Sequence, residues 1–331
     1  MKRRLICALL SVVIVVCTGC SAAAGMGLGR RTIMQKTAAA PQRETITYTN
    51  NTTTKASTPL QTTLAMRLPR ASGIKVLANE AVSIDVSNAS NGYMMVKYLG
   101  SSSDIVKMMV QNGSGPTYLY TLSNRGNYES FPFSEGNGTY SIKVYKNIGG
   151  SRYVAVYTTT TTVSLKNKFS PFLISNQFVN YNSKTLAVKQ ASKLSKGVKT
   201  ELVKLTKIYN WVVGKFKYDT QLARTVQSGY IPNLNSVYKK KKGICFDYAA
   251  IMTAMLRSQG MPCKLVIGYA GSAYHAWINV YTKKSGWIDG AIFFNGKRWR
   301  LLDPTFASTA HYTGTKKYVG NGTKYVSKFT Y

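Results

Sequence analysis

Apolar and polar residues alternate in short runs between about residue 66 and residue 165. Tyr140, Ile142 and Val144, for example, alternate with more polar neighbours, which is the two-residue period of a strand with one buried face. Runs of this kind, rich in Val, Ile, Tyr and Thr, recur roughly every 8–12 residues between Gly, Asn and Ser turns. The pattern predicts an all-β, sandwich-like domain over residues 66–165.

The apolar period becomes helical after an irregular connector. Leu205, Ile208 and Val212 lie three and four residues apart, which predicts a helix with one buried face. Gly197 separates this helix from a shorter one before it. We therefore assign residues 166–199 to a connector and a helix, and begin the next domain at residue 200.

A further helix is predicted to begin near Cys245. Tyr248, Met252, Met255 and Leu256 form its apolar stripe, and a Gly and a Pro shortly afterwards provide a natural stop. The chain then becomes strand-like, and the Asn-Gly pair between the last two runs is a signal for a two-residue hairpin turn. The predicted strands are 264–270, 275–281, 286–294 and 297–303.

Helices followed by an antiparallel sheet predict an α+β domain over residues 200–310, preceded by the all-β domain. The remaining residues, 311–331, are rich in Gly, Thr and Tyr and are assigned to a C-terminal tail that contains His311. His311 has no chemical partner nearby in the sequence, so a surface position is expected.

The N-terminal residues predict export from the cytoplasm. Met1–Arg4 is basic, and the apolar run Leu5–Val16 is shorter than the roughly 20 residues that span a bilayer, which is typical of a signal peptide. The "CTGC" that follows resembles the lipobox of bacterial lipoproteins, which implies diacylation of Cys20 after removal of the leader. Plain secretion, with cleavage within residues 21–24, and a retained anchor remain alternatives. Residues 21–65, rich in Ala, Thr and Asn, predict a disordered tether.

The charge of the chain indicates polyanionic partners. Forty-four basic and 11 acidic residues give a formal net charge of +33. Because the leader directs the chain out of the cytoplasm, nucleic acid is not an expected partner. We expect an anionic membrane surface or anionic cell-wall polymers, with the protein lipid-anchored on the extracellular face of the membrane or, alternatively, secreted.

Three residues in the second half are candidates for nucleophilic catalysis. Cys245 lies at a predicted helix N-terminus, His275 at the start of a strand and Asp303 at the end of another. A helix N-terminus favours the thiolate, an imidazole can accept and return a proton, and a carboxylate can orient the imidazole. On its own, Cys245 could also be a buried apolar residue or form a disulfide with Cys263.

Four segments together resemble the transglutaminase-like superfamily of papain-like cysteine enzymes. They are "GICFDYAA", the "GMP" stop after that helix, "YHAWINVY" and "WRLLDPTFAS", in this order within about residues 200–308. The resemblance implies Cys245 as nucleophile, His275 as general base and acid, and Asp303 as the group that orients the histidine. The position of Cys263, just past a helix stop and before an apolar strand, favours a buried structural thiol, and a disulfide with Cys245 would block the nucleophile.

The resemblance implies attack on an amide or peptide carbonyl of a protein or peptide substrate through a thioester acyl-enzyme. Release by water would make the protein a hydrolase or protease, and release by an amine would make it a transamidase. A non-catalytic surface binding module with the same fold is the alternative from another class. The Cys245 N–H is the first expected oxyanion donor, and Tyr218, Gln221 and Trp211 are unranked candidates for the second.

Other polar features have structural interpretations. The run Lys239–Lys242 is expected to be a solvated loop, and Asp247 is expected to stabilise the first turn of its helix. After the leader, the chain has no CxxC spacing, no HExxH motif, no calcium loop and no phosphate-binding glycine loop, so no metal or cofactor is predicted.

Overall fold

The computed structural model describes residues 66–288, 292–294, 299–301 and 325–331. Side chains are described only for residues 66–288 and 325–331. The first half contains eight strands in two antiparallel sheets, with the orders β1-β2-β3-β6 and β5-β4-β7-β8. The strands are β1 (Val76–Ala78), β2 (Val82–Asp85), β3 (Tyr93–Tyr98), β4 (Val106–Asn112), β5 (Thr117–Thr121), β6 (Glu129–Pro132), β7 (Gly138–Asn147) and β8 (Tyr153–Val163).

The two sheets contribute to one apolar core, as a sandwich requires. Ile84 and Met94 from the first sheet and Met108 and Ile142 from the second are completely buried in the same cluster. Along β7, the residues that alternate with Ile142 remain partly or fully exposed. The alternation in the sequence therefore predicted both the strand and the face that it buries.

A connector and five helices follow the sandwich. One 3-10 turn (Ser170–Phe172) lies in the connector, and two very short strands, β9 and β10, form a parallel pair. The elements are α1 (Leu186–Ser195), α2 (Glu201–Lys215), β9 (Lys217–Tyr218), α3 (Thr220–Thr225), α4 (Leu234–Lys240), β10 (Lys242–Gly243) and α5 (Cys245–Ser258). Gly197, with φ +71°, lies between α1 and α2, where the sequence predicted a break.

Helix α5 lies at the centre of the second half. It packs against α1, α2 and α4 on its helical side and against two strands of the following sheet. Every residue from Asp247 to Ser258 is buried, so the predicted apolar stripe was too narrow. A helix that is enclosed on all sides has no solvent-facing period, and its polar residues must find partners inside the protein.

The second half ends in an antiparallel sheet of order β13-β12-β11-β16 and a separate pair, β14–β15. The strands are β11 (Cys263–Ala270), β12 (Ala273–Thr282), β13 (Gly286–Ile288), β14 (Ile292–Phe294), β15 (Trp299–Leu301) and β16 (Tyr325–Thr330). Helices followed by antiparallel strands confirm the predicted α+β class.

Two details of this sheet differ from the sequence interpretation. The predicted tail supplies an edge strand, because β16 pairs with β11 and Tyr331 is buried. The predicted hairpin register is also wrong, because a two-residue Asn295-Gly296 turn would pair Phe294 with Lys297, whereas Phe294 pairs with Trp299.

The described residues belong to one compact unit, and one apolar cluster runs from the sandwich into the α5 region. Tyr331 joins the two parts, since its ring packs edge-on against Tyr118 and Phe178 at centroid distances of 5.3 and 4.7 Å. None of the helices among the described residues is both long and apolar enough to cross a bilayer.

Candidate functional site

Cys245 is the first residue of α5 and is partly exposed. Ile244 precedes it in extended conformation, with ψ 177°. The preceding Gly243 has no room for a side chain, because a Cβ there would lie 2.6 Å from the Asp247 Cβ. The glycine two residues before the cysteine therefore lets the chain approach the first turn of the helix closely.

Asp247 anchors this first turn from inside. Its Oδ2 accepts a 2.8 Å hydrogen bond from the Ile244 N–H, and its Oδ1 accepts a 2.7 Å hydrogen bond from the Tyr230 hydroxyl. The carboxyl is completely buried, and burial raises its pKa despite these two donors. Asp247 thus has the structural role that the sequence predicted, with the addition of a partner from a distant loop.

The three candidates for a second oxyanion donor lie in different surroundings. Tyr218 is in β9, where it pairs with Gly243, two residues before Cys245. Gln221 is exposed in the first turn of α3. Trp211 stacks on Tyr238 at a ring distance of 5.5 Å. The β9–β10 pairing therefore singles out Tyr218 as the candidate whose backbone is fixed beside the start of α5.

The lysine run before Cys245 is largely solvated, as predicted, since Lys239, Lys240 and Lys242 are exposed, but it is not a single loop. Lys239 and Lys240 form the last turn of α4, and Lys242 forms a 3.2 Å ion pair with Asp219. Lys241 has a left-handed backbone, with φ 49°, and its Nζ is buried within an aromatic cage. The Nζ lies 3.1, 4.6 and 5.2 Å from the ring centroids of Tyr238, Trp211 and Phe216, respectively.

The cage affects the pKa of Lys241 and holds three parts of the fold together, which the sequence did not indicate. Burial lowers the pKa of Lys241, whereas the electron-rich ring faces favour its charged form. The rings come from α2, its C-terminal end and α4, so the Lys241 ammonium ties these elements together. Because Lys241 lies four residues before Cys245, the cage also fixes the chain that leads to the nucleophile candidate.

His275 is the third residue of β12, rather than the first, and it pairs with Gly268 of β11. It is 7% exposed, and β12 packs against α5. The neighbouring Tyr274 lies within electrostatic range of Cys245. Burial raises the pKa of Tyr274, and Tyr269 and Cys245 raise it further because each becomes an anion on losing its proton. The structure therefore brings the start of β12 close to the start of α5.

Cys263 is a structural thiol, and it forms no disulfide with Cys245. It is completely buried at the start of β11, and its Sγ lies 3.6 Å from the Thr253 hydroxyl. Burial raises the pKa of Cys263 to about 11. The alternative in which the two cysteines form a disulfide is therefore wrong in this structure.

Two of the predicted functional residues lie outside the described residues. Asp303 follows β15 by two positions, and Cys20 belongs to the N-terminal segment, so both roles stay predictions. The leader, the tether and His311 also lie outside the described ranges. Among the described residues, no three His, Cys, Asp or Glu side chains come together as a metal-binding group.

Comparison with protein-family models finds one match in this half of the chain. Residues 188–290 match the family model described as the transglutaminase-like superfamily. The matched range runs from the first turn of α1 to just beyond β13 and contains both Cys245 and His275. Comparison with curated proteins finds no match.

Several solved structures show a distant similarity. A "putative cysteine protease" from Cytophaga hutchinsonii is 16% identical, with 78% of this chain and 74% of that one covered and a TM-score of 0.36. A "putative protease" from Parabacteroides distasonis is 12% identical, with coverages of 57% and 38% and a TM-score of 0.29. Red sea bream transglutaminase is 10% identical, with coverages of 64% and 48% and a TM-score of 0.25.

Proposed function

Because this chain carries a transglutaminase-like domain over residues 188–290, we propose that it is a cysteine enzyme that acts on amide or peptide bonds of proteins or peptides. The observation that supports this most is the position of Cys245, a partly exposed thiol at the first residue of a helix whose remaining turns are buried. The backbone N–H groups of a helix N-terminus favour a negative charge, as a thiolate nucleophile requires.

The proposed reaction has two steps. The Cys245 thiolate adds to the substrate carbonyl carbon, the C–N bond breaks, and the leaving amine takes a proton from His275, which leaves an acyl thioester on Cys245. Water or a second amine then attacks the thioester while His275 accepts its proton. The C–S bond breaks, and a carboxylic acid or a new amide is released with the enzyme regenerated.

The supporting roles follow from position. The Cys245 N–H is the first donor for the oxyanion, and Tyr218 is the second candidate because β9 holds it beside Gly243. Asp303 is assigned the orientation of His275 on the strength of the family resemblance. Of the two acyl acceptors, water is the one that we favour, so the enzyme is proposed to act as a hydrolase.

The experiment is incubation of the full chain with unfolded casein and an amine tracer, biotin-pentylamine. Release of casein fragments identifies a hydrolase, and biotin incorporated into casein identifies a transamidase. Both products should disappear in Cys245→Ala and persist in Cys263→Ala, which removes the buried thiol instead. Neither product from the folded wild-type chain would support the non-catalytic binding module.

We also propose that the chain is held at the extracellular face of the membrane by a diacylated Cys20, with its positive charge contacting anionic lipid or wall polymer. The net charge supports this, because +33 on the full chain less the three charges of Lys2, Arg3 and Arg4 leaves about +30 after removal of the leader. The expected result is that Cys20→Ala releases the protein into the medium. Retention of the protein on anionic vesicles should fall steeply as salt rises, and retention that is independent of salt would contradict the electrostatic part.

A further inference from the structure

A polar cavity of ≈ 750 Å³ lies between the sandwich and the connector, and Cys245 is not among its lining residues. Its walls come from the loop before β6, β6 itself, the segment 175–185 and the start of α4. Its volume falls within the range of about 300–1,000 Å³ that is usual for ligand sites, although most such sites are apolar. A cavity of this size with a polar wall requires a ligand that has many hydrogen-bonding groups.

The wall is polar but nearly neutral. Of the described residues that line it, seven have carboxamide side chains and six have hydroxyls, whereas Arg125 and Glu129 alone are charged. The Glu129 carboxylate is already occupied by the Ser123 N–H and by the Gln177 side chain. Arg125 is the single cation of the described wall, so the cavity lacks the cluster of positive charges that an anion site needs, although the chain has a net charge of +33. Six of its carboxamides belong to Asn127, Asn176, Asn180, Asn182, Asn233 and Asn235.

Several of these asparagines use their carbonyl oxygen to hold the protein's own backbone. The Oδ1 of Asn182 accepts from the Lys184 N–H at 2.8 Å, and the Oδ1 of Asn233 accepts from the Ser236 N–H at 2.9 Å. These contacts assign the oxygen and nitrogen of each amide, since the backbone N–H needs an acceptor. They leave the Nδ2 amino groups as donors for a ligand.

Two adjacent residues of the wall have buried side-chain atoms without a hydrogen-bond partner. The Oδ1 of Asn176 accepts from the Phe178 and Val179 N–H groups, but its Nδ2 has no partner. The Nε2 of Gln177 donates to the Thr121 carbonyl, but its Oε1 has no partner. Asn176 and Gln177 are 3% and 7% exposed.

Ser130, 6% exposed on β6, adds a hydroxyl oxygen that also has no partner. Buried polar groups in proteins are rarely left in this condition, because each unsatisfied group costs about 1–3 kcal/mol. An amide donor, an amide acceptor and a hydroxyl therefore lie without partners just behind the cavity wall, and a ligand that both donates and accepts hydrogen bonds could satisfy them if these side chains turn towards it.

The wall also provides an aromatic surface. The partly buried Tyr128 has its hydroxyl fixed by a 2.8 Å hydrogen bond with Ser83. The Lys97 Nζ lies 5.1 Å from the centroid of this ring, so the ring offers the cavity only the part of its apolar surface that Lys97 leaves uncovered. Sugars combine dense hydroxyl groups with apolar C–H faces, so they match both the amides and the ring.

We propose that this cavity binds an uncharged oligosaccharide. An extended peptide is the competing ligand, and it would normally add to a free strand edge. At the cavity, the outer edge of β6 is already used, because the Gln177 N–H donates to the Ser130 carbonyl at 3.1 Å. The dense neutral amides, the hydroxyls and the ring therefore favour a sugar. The inference is independent of catalysis at Cys245.

The test is calorimetric titration of the full chain with three neutral oligosaccharides, tetra-N-acetylchitotetraose, maltotetraose and cellotetraose, and with an uncharged octapeptide of Gly, Ser and Asn. At least one sugar should bind. Asn176→Asp should raise the Kd for that sugar tenfold or more. The variant keeps the oxygen that accepts from the Phe178 and Val179 N–H groups but replaces the Nδ2 donor with a second oxygen. Asn233→Asp makes the same change at a second wall position and serves if Asn176→Asp does not fold.

Asn167→Asp is the matched control. Asn167 lies outside the cavity, and its Oδ1 accepts from the Phe169 N–H at 2.8 Å in the same local arrangement. Its Kd should equal that of the wild-type chain. No binding of any of the three sugars to the folded protein, an equal loss in Asn167→Asp, or binding of the octapeptide in their place would overturn the proposal.

Discussion

The Tyr230 hydroxyl donates a 2.7 Å hydrogen bond to the Asp247 carboxylate, which ties the loop before α4 to the first turn of α5. The same carboxylate accepts from the Ile244 N–H immediately before Cys245. The position of the thiol therefore depends on a buried acid that lies two residues after it and on a tyrosine from outside the helix.

Replacing Asp247 should show how much this anchor matters. Asp247→Ala leaves the Ile244 N–H and the Tyr230 hydroxyl without their acceptor, and we expect a loss of about 1–3 kcal/mol in the free energy of unfolding. Cys245 should also react more slowly with substrate. Asp247→Asn keeps an acceptor oxygen and should retain most of the stability. Urea unfolding measures the stability of each variant, and initial rates on one substrate measure its activity. Equal stability and equal rates in Asp247→Ala and Asp247→Asn would show that the acceptor oxygen does not hold the first turn of α5.

The raised pKa of Asp247 gives a pH dependence with a defined sign. Because the folded pKa lies above the ordinary value of about 3.9, the folded state retains the proton more strongly than the unfolded state does. The stability of the wild type relative to Asp247→Asn should be greatest below the ordinary value and should fall as the pH rises through the folded pKa. Urea unfolding of both proteins between about pH 3 and pH 7 measures this difference, and a difference that grows with pH would refute the assignment.

The two described cysteines should differ sharply in reactivity. Cys245 is partly exposed at a helix start, whereas Cys263 is completely buried and its pKa is raised to about 11. Under native conditions at pH 8, iodoacetamide should therefore modify the peptide that contains Cys245 and spare Cys263 until urea is added. Peptide mass spectrometry measures both sites in one sample. Equal rates at the two sites would remove the basis for a nucleophilic Cys245.

The elements were predicted where local spacing decides the structure. Alternation identified β7, and helical spacing identified α2 with its buried Leu205, Ile208 and Val212. β16 was missed because its partner, β11, lies more than fifty residues earlier, and only tertiary pairing makes Tyr325–Thr330 a strand. The predicted stripe of α5 was too narrow because periodicity cannot reveal a helix that is enclosed on all sides.

The sequence predicted only part of the candidate site, because local spacing identifies a motif but not the distant side chains that pack around it. Cys245 and His275 lie near the starts of α5 and β12, which pack against each other, and their joint role stays a prediction. Tyr230 and the Lys241 cage gave no local signal in the sequence. A run of four lysines is usually solvated, and the rings of Trp211 and Phe216 that enclose one of them lie 25 or more residues earlier. Sequence spacing predicts which groups share an element, but it does not predict which side chain fills a cage.

Adding a methyl group opposite His275 should disturb the site. A Cβ on Gly268 would overlap the Val326 carbonyl oxygen and would lie 2.8 Å from the Trp277 ring, so β16 must shift. Gly268→Ala should lose about 1–3 kcal/mol of stability and also lower activity, because Gly268 pairs with His275. Gly214→Ala, in α2 with no atom within 4 Å, should match or exceed the wild-type stability. Thermal unfolding of both variants checks the contrast, and a fully stable Gly268→Ala would contradict the close approach of β16.

Two neighbours on β12 allow a test of which side chain transfers the proton. His275→Gln should lower kcat by about 10²–10⁴, which is the usual contribution of a general base, and it should alter the pH profile of the rate. Tyr274→Phe removes only the hydroxyl of the neighbouring tyrosine, whose pKa is raised in part by Cys245, so it should change kcat little. If Tyr274→Phe is the inactive variant and His275→Gln retains the wild-type profile, His275 is not the base.

Arg257 holds the far end of α5 as Asp247 holds its start. The guanidinium is buried and donates to three backbone carbonyls, those of Ile174, Cys263 and Tyr331. These carbonyls belong to the connector, the start of β11 and the residue after β16. One side chain therefore supplies the hydrogen bonds of three segments that meet around the end of the helix.

Arg257→Leu should therefore be among the most damaging single changes in the described structure. It removes this donor from the buried carbonyls of Ile174 and Cys263, whereas the Tyr331 carbonyl still accepts from the Leu265 N–H at 3.0 Å. We expect a loss of about 2–6 kcal/mol, at about 1–3 kcal/mol for each of the two carbonyls. Arg224→Leu, exposed on α3, should stay within about 0.5 kcal/mol of the wild type. Urea unfolding of both variants at one pH gives the comparison. If Arg257→Leu unfolds at the same urea concentration as Arg224→Leu, water or a rearranged chain must satisfy those carbonyls, and Arg257 does not hold the three segments together.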